Sequence, residues 1–155
     1  SLLPDIHFAI AGPGDDEYVD ELRRLSANLN VQDSTTFTGY VGADERLRAL
    51  VDAEVFILTS HTENFAMAAV EAMAAETPVL LSNEVGVAPA ADQADAGISV
   101  PLDEDKITEA LHLLLSNPSI RERIAANGPD HVRSQYSPES VADQMVNKIQ
   151  QLWKD

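Results

Sequence analysis

Val55-Phe56-Ile57-Leu58-Thr59-Ser60-His61-Thr62-Glu63-Asn64-Phe65-Ala66-Met67-Ala68-Ala69-Val70-Glu71-Ala72-Met73-Ala74-Ala75 is the stretch that decides the fold. It opens with a continuous apolar run of strand type and passes through a short polar loop. It closes in an alanine-rich run with one β-branched residue, Val70, which favours helix. That run, from Phe65 to Ala75, is apolar around nearly its whole circumference, the mark of a buried helix. One carboxylate, Glu71, sits inside it, and a second, Glu63, lies in the loop just before it. A buried charge is costly unless something pairs with it. The amides of Asn64, Phe65, Ala66 and Met67 lack intrahelical partners and make a natural anion site, suited to a phosphate. Helical side chains lean toward the helix N-terminus, so Glu71 can reach back to the same place. Two acids so placed suggest a hydroxyl-rich ligand lying across the helix mouth. Glu71 bridged to an arginine or turned to solvent is the alternative.

Working outward, strands alternate with helices. Ile6 to Ala11 reads as a buried strand ending in Gly12-Pro13-Gly14. Asp15 to Leu29 reads as a helix with Tyr18, Leu22, Leu25 and Leu29 on one face. Thr35 to Thr38 is a short strand leading into Gly39-Tyr40-Val41-Gly42. Asp44 caps a helix through Ala53, with Leu47, Leu50 and Val51 inward. After the central segment come a strand at Val79 to Leu81, a short helix near Pro89 to Ala94 and a strand at Ile98 to Val100. Helices follow at Asp103 to Ser116, Pro118 to Asn127 and Pro138 to Lys154. Ser137-Pro138 opens the last of these as cap and first helical residue. The pattern predicts an α/β fold, a Rossmann-like parallel sheet with helices on both faces. Ligands of such sheets sit at the carboxyl ends of the strands.

The chain has 155 residues, enough for one domain with a sizeable core, and carries a net charge of −16. So acidic a surface repels nucleic acid and anionic lipid. High-salt adaptation and a merely acidic protein both fit the charge. No apolar stretch approaches a membrane span. There is no cysteine, which removes disulfides and thiolate sites and suits a reducing cytosol. The expected location is cytoplasmic, with peripheral membrane association of the intact protein left open. Ser1-Leu2-Leu3-Pro4-Asp5 runs straight into a strand without an initiator methionine, as in a domain excised from a longer protein.

Other chemistry is poorly signalled. Gly12-Pro13-Gly14 lacks the third glycine of a dinucleotide fingerprint, since position 17 is Glu17. The histidines His7, His61, His112 and His131 show no metal-site spacing, and no metal or other cofactor is expected. Only His61 falls in a carboxyl-end loop, beside Glu63, as a plain loop residue or a ligand contact. Ser60 has no nucleophile-elbow pattern.

These residues resemble a known family. Glu63-Asn64-Phe65-Ala66-Met67-Ala68-Ala69-Val70-Glu71-Ala72-Met73-Ala74 is similar to the E-x7-E signature of the group 1 retaining glycosyltransferases, usually E-G-F-G-x-x-x-x-E-A-x-A. Five further pieces follow in register. They are Ala9 to Gly14, Phe37 to Val41, Ala53 to Ser60, Thr77 to Ser82, and Leu111 to Pro118. The resemblance covers almost the whole chain. It implies the C-terminal, donor-binding half of a two-domain GT-B enzyme that moves a sugar from a nucleotide-diphosphate sugar to an acceptor hydroxyl. Residues 1–155 would form that single domain, truncated at its N-terminal end and separated from its acceptor domain. The helix over 137–154 would be meant to pack on the missing part, leaving Leu152 and Trp153 partly exposed or buried in a contact with another copy.

By resemblance Glu63 would hold sugar hydroxyls as the catalytic candidate. The amides of Asn64, Phe65, Ala66 and Met67 would hold sugar and pyrophosphate oxygens. Glu71 would accept from the ribose hydroxyls, and Gly39, Tyr40 and Val41 would lie along the base. Asn64 and Ala66 replace the usual glycines. The family's Arg and Lys pyrophosphate clamp would lie upstream of residue 1, so the fragment alone is expected to be inactive. A GT-B nucleotide-sugar epimerase and a non-catalytic nucleotide-sugar-binding module are the rival readings.

Overall fold

The computed structural model describes residues 6–153. The chain divides into two compact units, Ser1–Arg46 and Leu47–Asp155. In the first, β1 (Phe8–Ala11) and β2 (Thr35–Gly39) pair in parallel, with Phe8 opposite Thr35 and Ile10 opposite Phe37. Helix α1 (Asp16–Asn28) and a 3-10 turn (Gln32–Ser34) connect them. The Asp15 carboxylate caps α1 by accepting from the Glu17 amide at 3.0 Å.

The inward faces expected here are not those observed. In β1 only Ile10 is half-buried, and Phe8 is exposed. Tyr18 and Leu25 of α1 and Leu29 at its cap are exposed; of the expected face only Leu22 turns inward, joined by Val19 and Ser26. Two short strands and one helix offer too little surface to cover two apolar stripes. Helix α2 (Ala43–Asp52) likewise buries Leu50 but leaves Leu47 and Val51 exposed. It starts one residue before Asp44, which lies in its first turn rather than at its cap.

The second unit holds a three-stranded parallel sheet in the order β3 (Phe56–Leu58), β4 (Val79–Ser82), β5 (Gly97–Val100). The expected parallel α/β plan is present, as two separately hydrogen-bonded sheets among the described residues. Strand alternation sorts the side chains into two cores. Phe56, Leu58, Val79 and Leu81 face a cluster built on α3 (Met67–Ala74) and α4 (Ala88–Gln93). Ile57, Leu80, Ile98 and Val100 face the opposite cluster, built on α5 (Glu104–Ser116) and the first half of α6 (Pro118–Tyr136). The sheet is thus covered on both sides. Thr77 Oγ donates to the Leu50 carbonyl at 2.6 Å and ties α2 to the start of β4.

Helix α6 departs most from expectation. Gly128-Pro129 reads as a helix stop after Asn127, yet the helix runs on to Tyr136. Pro129 removes an amide and crowds the preceding turn, at a cost of about 3 kcal/mol. Packing overrides that. Ile124, Gly128 and His131 form one buried stripe through the break, and burying Ile124 alone contributes about 1.5–3 kcal/mol. A Cβ on Gly128 would collide with the Met73 carbonyl oxygen, so glycine is what lets α6 lie on the backbone of α3. Ser137 then caps α7 (Pro138–Leu152), accepting from the Ser140 amide at 3.2 Å, with Pro138 in the first turn as expected. Lys154, the expected end of α7, lies outside the described residues. No residue of α7 is buried, and Trp153 just beyond it is 86% exposed.

Two outcomes follow from α6. Gly128→Ala places a methyl group against Met73 backbone, and should lower the stability of the folded chain by about 1–3 kcal/mol in urea titration. His131 is buried, its Nε2 has no hydrogen-bond partner among the described residues, and burial holds its pKa below the ordinary imidazole value. The unfolded chain therefore binds a proton that the native one refuses. This stabilising contribution is complete above about pH 6.5 and is lost as pH falls toward the lowered native value. Between about pH 7 and pH 5 the urea midpoint should fall more steeply for the native sequence than for His131→Leu. Equal slopes would contradict this.

Candidate functional site

The loop between β3 and α3 is strapped to the chain that leaves β4. The Glu63 amide donates to the Glu84 carbonyl at 3.3 Å, and the Gly86 amide donates to the Glu63 carbonyl at 2.8 Å. Glu63 and Val85 form an isolated parallel bridge. Ser82 Oγ donates to the Ser60 carbonyl at 2.7 Å, pinning the start of the same loop. Residue 86 must be glycine, because a Cβ there would run into the Asn64 carbonyl. The loop that carries the candidate residues is therefore built as an extension of the sheet's carboxyl edge, where ligands of parallel sheets bind.

Glu63 is half-buried. Its Oε1 accepts from the Phe65 amide at 3.3 Å and from the Ala66 amide at 3.2 Å. Two groups expected to face a ligand side by side are thus each other's partners. The geometry has a chemical meaning: these two amides converge on one point, and that point already holds an anionic oxygen. Helix α3 begins at Met67, two residues later than expected, so Asn64, Phe65 and Ala66 belong to the loop. Ala66 stands at the cap with φ 66° and ψ 67°, the left-handed region that favours glycine. The delayed start follows from this, since a left-handed residue cannot belong to a right-handed helix.

Glu71 is the fifth residue of α3, about one turn in rather than two. The helix buries Ala69, Val70, Ala72 and Met73, while Met67, Glu71 and Ala74 share the less buried stripe. The helix is therefore not apolar all round in its packing, and Glu71 occupies the side with access to water. His61 and Asn64 are exposed in the same loop. Phe65 is 40% exposed, with its ring edge-to-face on Tyr136. The expected residues Glu63, Asn64, Phe65, Ala66, Met67, Glu71 and His61 all belong to this one segment at the head of α3.

Gly39, Tyr40 and Val41 belong to the other compact unit. Gly39 ends β2 and its carbonyl accepts from the Gly12 amide at 2.9 Å, Val41 is half-buried, and Tyr40 is 79% exposed. Among the described residues no group of three or more His, Asp and Glu side chains is placed to hold a metal ion. No helix among them is long and apolar enough to cross a membrane.

Sequence reasoning missed Gly86, Ser82 and Tyr136. Gly86 had a signal, as a glycine just beyond a strand in a carboxyl-end loop. Tyr136 had none once the helix was ended at Asn127.

Known proteins carry the same pattern. The sequence profile of the group 1 glycosyl transferases matches residues 1–131. An uncharacterized glycosyltransferase of Methanocaldococcus jannaschii is 34% identical over 139 residues, covering 89% of this chain and 35% of that protein. The C-terminal domain of a group 1 glycosyl transferase from Francisella tularensis superposes with a TM-score of 0.68 at 27% identity, over 80% of this chain and 65% of that one. Anabaena HepE, solved in complex with UDP-glucose, superposes with a TM-score of 0.78 at 17% identity, over 96% of this chain and 42% of that one, a likeness of fold. The chain spans about a third of the length of the curated relatives it matches. With its profile match, its parallel α/β fold and its likeness to a C-terminal domain of that group, the chain belongs to the group 1 glycosyltransferases.

Proposed function

We propose that this chain is the donor-binding part of a retaining glycosyltransferase that moves a sugar from a nucleotide-diphosphate sugar to an acceptor hydroxyl. The observation that carries the reading is the pair of amides, Phe65 and Ala66, converging on one carboxylate oxygen at the head of α3. A donor's phosphate or sugar oxygen would take that position and free Glu63 to accept from a sugar hydroxyl. Glu71, on the water-facing stripe of α3, would accept from the ribose hydroxyls, since a carboxylate takes two such donors well. Met67 and Asn64 would complete the cradle, with His61 at its rim. In the other unit, Gly39, Tyr40 and Val41 keep the role along the base that the family resemblance assigns. Fixed amide donors near the diphosphate would stabilise the charge that develops as it leaves. The acceptor would attack from the face the leaving group departs. HepE, whose structure holds UDP-glucose, supports a nucleotide-sugar as the ligand class.

Residues 1–155 would make up the donor-binding domain of the complete protein, with the acceptor site on a domain outside this chain. The stripe Val141, Met145, Ile149 and Leu152 is exposed along α7, which supports its packing against that outside part. The lack of cysteine supports a cytoplasmic location.

In the complete protein, Glu63→Gln and Glu71→Gln should each reduce transfer by roughly two orders of magnitude or more while the thermal midpoint stays near that of the unchanged protein. Near-normal turnover in both would return the two acids to a structural role. Residues 1–155 alone should show no transfer in an assay where the complete protein is active, and measurable turnover by the fragment would overturn the half-enzyme reading.

A further inference from the structure

Helix α6 lies along α3 in a regular antiparallel register. Gly128 rests on the backbone of Met73 at one end. Val132 and Val70 line one cleft in the middle, and the Tyr136 ring meets the edge of Phe65 at the other end, with centroids 5.3 Å apart and planes at 88°. The same number of positions separates the outer partners on each segment, although Phe65 lies in the loop before α3. One helix thus grips α3 at its C-terminal end and the loop in front of α3 at its N-terminal end.

The ring of α6 that meets the loop is Tyr136. Phe65 lies between Asn64, which is exposed, and Ala66, which is left-handed. Tyr136 has a second ring contact besides Phe65, and the backbone around it is tied to α7. Its ring meets His131 edge-on at 5.6 Å and 88°. The α6–α7 junction is fixed by Ser140 Oγ donating to the Ser134 carbonyl and by Gln144 Nε2 donating to the Gln135 carbonyl at 3.0 Å. Beside the ring is an open, mostly apolar cleft of about 480 Å³ lined by Phe65, Met67, Val70, Val132, Tyr136 and Val141. A ring so fixed is a stop against which a loop can be set.

We propose that Tyr136 is a positioning residue for the donor site: pressed on Phe65 at the end of the α6 brace, it holds the Phe65 and Ala66 amides on the point where the donor's oxygen binds. This rests on the functional reading above and deepens it. In this role Tyr136 acts through Phe65 rather than on the donor itself, so its effect falls on donor affinity.

The test uses the complete protein with initial rates measured against donor and acceptor separately. Tyr136→Leu keeps apolar bulk but removes the ring edge, and Phe65→Leu removes the other half of the pair. Each should raise the donor KM about three- to tenfold, the range of one lost edge-to-face contact, and leave the acceptor KM unchanged. The double variant should be no worse than either single one, because the two changes remove the same contact. Tyr136→Phe, which keeps the ring, should stay within about twofold of the unchanged protein. An unchanged donor KM in Tyr136→Leu, an equal rise in both KM values, or additive effects in the double variant would overturn the inference. If Glu63→Gln and Glu71→Gln lose transfer while Tyr136→Leu keeps its donor KM, the positioning role alone fails. If those two carboxylate variants transfer normally, the site reading fails and the inference falls with it.

Discussion

The contact between Gly128 and the backbone of Met73 is the constraint on which the rest of the second unit depends. A short apolar helix can be buried only if something covers the side turned away from the sheet. Helix α6 supplies that cover, and it comes close enough only because one of its residues has no side chain. The approach sustains a helix through a proline, buries His131 with its Nε2 unbonded among the described residues, and carries Tyr136 to the loop in front of α3. Stability and site geometry are therefore linked through one helix.

The loop itself is held from the opposite direction by backbone. The bonds that Glu63 makes with Glu84 and Gly86 extend the parallel pairing of β3 and β4 past the ends of the strands. Main-chain pairing sets where the loop lies, Tyr136 sets how Phe65 sits within it, and left-handed Ala66 turns the chain into the helix. A carboxylate then occupies the point on which two amides converge. Under the proposed reading, in which a donor oxygen takes this point, the arrangement serves two ends. The amides are never left unpaired, and the carboxylate that covers them is already beside the hydroxyls it would accept from. The exchange costs little, since each hydrogen bond lost is replaced by another.

Much of this was legible in the residues. The run Val55 to Leu58, the polar loop and the alanine-rich helix have distinct periods, and the strand–helix alternation around them identifies a parallel α/β fold. The spacing of Glu63 and Glu71 draws attention to the loop and helix that follow β3. What was not legible depends on approach through space. Gly128-Pro129 is chemically a helix stop, and only the surface of α3 makes it a helix interior. Tyr18, Leu25, Leu47 and Val51 obey helical periodicity, but periodicity does not say whether anything lies opposite to cover them. The pairing of Glu63 with the Phe65 and Ala66 amides depends on a left-handed alanine, which local preference disfavours. Gly86 was visible as a glycine but not as the point where two loops touch.

The most direct test is a crystal structure of the complete protein with an unhydrolysed nucleotide-sugar donor bound. The account predicts a donor oxygen within hydrogen-bonding distance of the Phe65 and Ala66 amides, with the Glu63 carboxylate moved off them and onto a sugar hydroxyl. A donor bound elsewhere, or bound while Glu63 still accepts from both amides, would contradict it.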